Sequence, residues 1–149
     1  MNASRTIRYA TPVPTDLQQP TPADAVQLRA LRQRVVELGI GPDYARGRGL
    51  RPVREPRQLR FVGYDIHQRA QWLTPRAAQA WLRMRHSAAL GQIELQLVSA
   101  FRSIDYQVGI IERKLARGQN LAQILEVSAA PGYSEHHSGR AIDITTPGF

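Results

Sequence analysis

Between Ser134 and Asp143 the chain reads SEHHSGRAID, and few folds can use that order of residues. Ser138-Gly139 is a turn signal, and Ile142-Asp143-Ile144 is a short β-prone run between apolar neighbours. A turn followed by a strand folds the chain back, so that His136 and Asp143, seven positions apart, face one point. An imidazole nitrogen and a carboxylate oxygen at one point are a zinc-type ligand pair. A catalytic zinc site needs three protein ligands and an open position for water, so the pair alone is not such a site.

Composition narrows what else can hold a metal. The 149 residues contain no cysteine, which excludes a disulfide framework and a thiolate site and leaves His, Asp and Glu as donors. One domain of this length buries about two-thirds of its unfolded surface. The net charge of +8 comes almost wholly from arginine, because Lys114 is the sole lysine. Such a balance either reflects arginine-rich codon usage or attracts polyanions, whether nucleic acid or an anionic cell envelope. No apolar run approaches a membrane span, and the first residues, MNASRTIRYATPVP, lack the apolar region of a secretory signal.

In order along the chain, residues 1–20 read as a mobile polar leader with Pro12, Pro14 and Pro20. Thr21-Pro22 reads as a helix start, with Asp24 adding charge near the N-terminus. Leu28, Leu31, Val35 and Leu38 form its apolar stripe, and Gly39 stops it. From Gly41 to Arg60, prolines interrupt the pattern while Arg48, Arg51, Arg54, Arg57 and Arg60 recur every third residue. In an extended, polyproline-like segment that spacing aligns the charges. It is read either as a solvated loop or as an anion-binding strip. The absence of aromatic residues between the arginines speaks against single-stranded nucleic acid.

A strand is expected near 60–66. Thr74-Pro75 opens a helix whose stripe is Ala77, Trp81, Met84 and Ala88, with Trp81 and Met84 assigned to the core and Gly91 as the stop. Ile93, Leu95 and Leu97 alternate as a strand running into SAFRS, where Ser103 caps the next helix. That helix carries Ile104, Val108, Ile111 and Leu115 and ends at Gly118. Asn120 caps a short helix through Leu125. His67 and His86 fall outside any ligand pattern and are read as surface or satisfied polar positions.

The stretch AAPGYSEHHSGRAIDI, with its S-x-H-x-x-G-x-A-x-D pattern at Ser134, His136, Gly139, Ala141 and Asp143, resembles the zinc signature of the D-alanyl-D-alanine carboxypeptidases. This is the metallopeptidase family that includes the vancomycin-resistance carboxypeptidases and dipeptidases. SAFRS followed by Gln107 resembles a second motif of that family. The resemblance runs from about Phe61 onward and implies a Zn2+ cofactor on His136 and Asp143. It further implies that Arg102 grips the substrate's terminal carboxylate, with Ser134 and Gln107 as further substrate contacts. A guanidinium suits that task because it forks onto a carboxylate through two parallel hydrogen bonds. In the family a Glu-x-x-His segment after the aspartate supplies the general base and third ligand. No Glu-x-x-His occurs in these 149 residues, so the reading is of a truncated member whose catalytic base is absent. His137 reaches the same ion only by a local contortion.

The expected fold is α+β: helices near 22–38, 75–90, 104–117 and 121–126 on a small antiparallel sheet with strands near 60–66, 93–99 and 141–145. Residues 1–20 are the leader, 21–60 an N-terminal helix with an Arg/Pro-rich connector, and 61–149 the carboxypeptidase-like core. The implied function is removal of a C-terminal residue from peptidoglycan peptides. The alternative is an inactive module that binds cell-wall peptide carboxylates. The implied partner is a peptidoglycan stem peptide or the D-Ala-D-Ala dipeptide, with no specific nucleic acid and no membrane span. Self-association through an open sheet edge is also expected. The substrate implies the cell envelope, with a cytoplasmic location left open because no signal peptide is visible.

Overall fold

The computed structural model describes residues 12–148, and its helices start where side chains cap them. α1 (Ala25–Glu37) begins at Asp24 rather than at Thr21-Pro22. Asp24 Oδ1 accepts from the amides of Val26 and Gln27 at 2.9 and 2.8 Å, and Gln27 Oε1 accepts from the Asp24 amide at 2.9 Å. That reciprocal box satisfies donors at the helix start, and it places the cap three residues later than the proline signal does. α3 (Pro75–Leu90), α4 (Ile104–Ala116) and α5 (Leu121–Val127) lie where the stripes and caps place them. Ser103 accepts from the Tyr106 amide at 3.0 Å, and Asn120 accepts from the Ala122 amide at 2.8 Å.

The class is α+β, as expected, but the strands form two two-stranded antiparallel sheets instead of one. β1 (Arg60–Tyr64) pairs with β2 (Ala70–Leu73), a strand absent from the sequence reading. Asp65 closes the intervening turn, with its amide donating to the Arg69 carbonyl at 3.0 Å and Gln68 at φ +60°. β3 (Gln96–Ser99) pairs with β4 (Asp143–Thr145). β3 is shorter than expected because the Ile93 amide bonds back to the Ala88 carbonyl at 2.9 Å, completing the end of α3. The hairpin is stitched to the second pair by Ile66 N to Leu97 O at 2.9 Å and Phe101 N to Trp72 O at 3.0 Å.

Val62, Leu73, Ala78, Trp81, Leu97 and Ala100 make the main core, with Leu59, Phe61 and Trp72 beside it. Trp81 is buried, but Met84 is 40% exposed and does not join the core. α3 has sixteen residues against strands of four or five, so its C-terminal turns overhang the sheet.

The segment before β1 is held against this core. Residues 1–11 of the expected leader lie outside the described residues, but Leu17 packs on the Leu59 cluster. Gln19 donates to the Arg57 carbonyl at 2.8 Å and accepts from the Leu59 amide at 3.0 Å. The stretch expected to be extended from Gly41 contains a short helix, α2 (Asp43–Arg46), before running without regular structure to Leu59. Glu55 accepts from the Ala23 amide at 3.0 Å and from the Ile104 amide at the start of α4 at 2.6 Å. Arg34 crosses from α1 to Glu112 and Asp105 on α4.

Candidate functional site

His136 lies in a short 3-10 turn, Glu135–Ser138, started by Ser134, whose hydroxyl accepts from the His136 amide at 3.3 Å. Gly139 ends the turn at φ +65°. A Cβ there would lie 3.0 Å from Leu59 Cδ2 and 3.1 Å from Pro56 Cγ. Gly139→Ala is therefore expected to cost about 1–3 kcal/mol, from left-handed backbone strain and crowding together. Urea unfolding checks this, and an unchanged midpoint would show that the loop yields freely.

The chain then enters β4, where Asp143 pairs with Ser99. This turn and strand bring His136 Nε2 to 3.3 Å from Asp143 Oδ2. His136 Nδ1 lies 2.7 Å from the Ala100 carbonyl. A carbonyl only accepts, so Nδ1 carries a proton, and in the neutral tautomer Nε2 turns its lone pair toward the carboxylate. Two acceptors in that position repel one another until a cation or a proton comes between them.

The pair fits zinc. Ligand atoms at neighbouring corners of a tetrahedron with bonds of about 2.0–2.1 Å lie about 3.3 Å apart. The Ala100 contact is the kind of outer hydrogen bond that orients a metal-binding histidine. Among the described residues no group of three His, Cys, Asp or Glu side chains converges, so the pair offers two of the three protein ligands that a catalytic zinc needs.

Arg102 faces the same point, with Nη2 3.6 Å from Asp143 Oδ2 and its side chain 20% exposed. Nη1 donates to Gln107 Oε1 and Nη2 to Ser99 Oγ, each at 3.1 Å. Those two bonds use two of the guanidinium's five N–H groups. Burial lowers the Arg102 pKa and the Asp143 carboxylate opposes that shift, so the group stays charged.

Two expected substrate contacts sit behind this surface. Gln107 is fully buried, and its Nε2 donates to the Ala129 carbonyl at 2.8 Å, so both ends of its amide are engaged, the oxygen on Arg102 and the nitrogen on Ala129. Ser134 is 4% exposed, and its hydroxyl caps the turn.

His137, considered above as an ion ligand, points the opposite way and is fully buried. Its Nδ1 lies 2.6 Å from the Arg102 carbonyl, and its Nε2 accepts from the Gly132 amide at 3.0 Å. Burial pushes its pKa down, with the hydrogen bond to the Arg102 carbonyl working against it. Both nitrogens are used, so His137 has no lone pair to give a metal. The Arg102 amide in turn donates to the His136 carbonyl at 3.2 Å, so the two histidines hold the Arg102 backbone from both sides.

A second buried network fixes the strand below. Burial alone would raise the Asp65 pKa, but bonds from the amides of Arg69 and His67 and from the Arg69 guanidinium hold it down. Gln71 links Asp65 to the Ala100 amide at 2.8 Å on each side. Arg69 also reaches Tyr106 Oη at 3.1 Å and the Val98 carbonyl at 3.2 Å. None of these supports was singled out from the sequence.

Residues 70–148 match the family described as VanY: D-alanyl-D-alanine carboxypeptidase. Among solved structures, that of LdcB, an LD-carboxypeptidase described for its peptidoglycan recognition, aligns with a TM-score of 0.55 at 31% identity. The alignment covers 62% of this chain and 44% of LdcB. VanYB in complex with D-alanine-D-alanine aligns with a TM-score of 0.51 at 22% identity, covering 66% of this chain and 56% of VanYB, a likeness of fold. The chain spans about half the length of these two structures. No curated protein matches it.

Proposed function

The chain belongs to the VanY family of D-alanyl-D-alanine carboxypeptidases, and on that premise we propose that Arg102, His136 and Asp143 form a zinc-peptidase site for a C-terminal D-alanine of peptidoglycan peptides. The observation that carries the reading is the convergence on Asp143 Oδ2, 3.3 Å from His136 Nε2 and 3.6 Å from Arg102 Nη2. Bound between His136 and Asp143, zinc would polarise the scissile carbonyl and lower the pKa of a coordinated water. Arg102 clamps the terminal carboxylate, which restricts cleavage to the last peptide bond. Gln107 and Ser99 orient the guanidinium, and His137 sets the height of its backbone. Such a substrate places the protein at the cell envelope. No helix among the described residues is long and apolar enough to cross a membrane.

The count of donors favours a second reading, a module that holds peptide carboxylates without cleaving them. The carboxylate clamp has its supports, while the metal pair lacks a third ligand and a neighbouring base among the described residues. A missing general base forfeits about 10²- to 10⁴-fold in rate. The 149-residue chain is therefore expected to bind zinc weakly, to lose that binding in His136→Ala and in Asp143→Ala, and to release D-alanine negligibly. Calorimetric zinc titration with a D-alanine release assay checks this. Zinc binding unchanged in both variants would remove the ligand assignment. Tight binding with robust turnover would show that another residue completes the site.

A further inference from the structure

The arginines from the end of α2 to the first residue of β1 form a rail anchored beside the site. Inward-facing groups tie this stretch to the body along its length. The Val53 amide donates to the Gly132 carbonyl at 2.8 Å, and Glu55 takes the Ala23 and Ile104 amides. Gln19 holds Arg57 and Leu59 by their backbones, and Pro56 and Leu59 lie against Gly139 of the histidine turn. The groups turned outward are Arg51, Arg54, Arg57 and Arg60, all exposed. Among the described residues none of these four side chains has an ion-pair partner. Arg48, by contrast, is folded over the Tyr44 ring at 4.2 Å and donates to the Tyr44 carbonyl. Between residues 47 and 64 the one acidic residue is Glu55, and its carboxylate is consumed inside.

The rail has no regular structure and bends at Arg57, and it presents its cations at every third residue along the anchored chain. Its backbone is already fixed, so a bound polymer would not have to order it. We propose that this rail binds a flexible phosphodiester polymer without bases, of the polyol-phosphate kind, and holds it alongside the His136 loop. No aromatic side chain lies between Arg51 and Arg60 to stack a base, which disfavours single-stranded nucleic acid. The choice of an envelope polymer rests on the cell-wall reading of the neighbouring site, while the rail itself rests only on its own geometry.

The test is binding of a fluorescent glycerol-phosphate oligomer to the full chain across a salt series. Four phosphate contacts predict a loss of affinity of about 50-fold between roughly 50 and roughly 200 mM salt. The variant carrying Arg51→Gln, Arg54→Gln, Arg57→Gln and Arg60→Gln should lose most of that slope and bind at least about 10-fold more weakly at low salt. The double variant Arg54→Gln, Arg57→Gln should lose about half the slope. A control carrying Arg29→Gln, Arg32→Gln, Arg83→Gln and Arg117→Gln removes equal charge elsewhere and should bind nearly as wild type. Equal losses in the control would reduce the effect to net charge and overturn the rail. Tighter binding of a single-stranded DNA of matched charge would overturn the choice of polymer. D-Ala-D-Ala binding, measured in parallel, separates the two readings. A rail that works in a protein that ignores the dipeptide would sink the peptidase reading and leave the rail standing.

Discussion

His137→Ala should lower the stability of the fold by about 3–5 kcal/mol, although the residue touches neither substrate nor metal in this account. The side chain is fully buried, so its removal leaves a cavity. It also strands the Gly132 amide and deprives the Arg102 carbonyl of a partner, and an unsatisfied buried group costs about 1–3 kcal/mol. The same change should weaken dipeptide binding, because Arg102 loses its backbone support. His137→Gln, which keeps an amide donor in reach, should recover part of both losses. A pH dependence accompanies the effect. The folded state lowers the His137 pKa below its ordinary value of 6.5, chiefly through burial, so the fold favours the neutral ring. The unfolded chain takes up the proton first as pH falls, so this contribution is whole above about pH 6.5 and declines as pH drops through that value toward the folded pKa. Urea midpoints measured from about pH 7.5 to about pH 5.5 should fall more for the wild type than for His137→Gln. Equal slopes would assign the pH dependence to other groups.

Arg102→Met should abolish recognition of a terminal carboxylate, weakening D-Ala-D-Ala binding by at least about 2 kcal/mol, or about 30-fold. Methionine keeps much of the aliphatic stem and removes the fork, so the loss measures the charge-assisted bonds more than the packing. Arg102→Lys should rescue only part, since an ammonium cannot donate two parallel bonds, and one that bonds Gln107 and Ser99 keeps a single N–H for the ligand. Gln107→Ala should produce a smaller loss of the same kind, because it frees the guanidinium to rotate. An affinity for dipeptide that survives Arg102→Met would remove the clamp.

What was legible in the sequence was chiefly what is local. Asn120 and Ser103 cap their helices as read, and a turn at Ser138-Gly139 with a strand at Asp143 brings His136 and Asp143 together within ten residues of chain. β2 was hidden because Gln71 occupies a buried position between Asp65 and Ala100, which breaks the apolar alternation that marks a strand. Without β2, one sheet was expected where the described residues make two. Gln107 was a substrate contact only by resemblance to the family, and His137 came into question only because it stands beside His136. What turns them inward is the carbonyl of Ala129 in one case and of Arg102 in the other, and no sequence pattern shows such distant acceptors. The docking of residues 17–19 depends likewise on Arg57 and Leu59, about forty positions downstream.

The central claim is that Arg102 and the His136–Asp143 pair serve one ligand, a peptide ending in a free carboxylate. Its most direct test is an NMR titration of the 149-residue chain with D-alanyl-D-alanine and with the same dipeptide as its C-terminal amide. The account predicts that the acid shifts the amide signals of Arg102, Asp143 and their neighbours, and that the C-terminal amide, lacking the carboxylate, binds at least about 30-fold more weakly. Equal binding of the two forms, or shifts confined to residues away from Arg102 and Asp143, would contradict it.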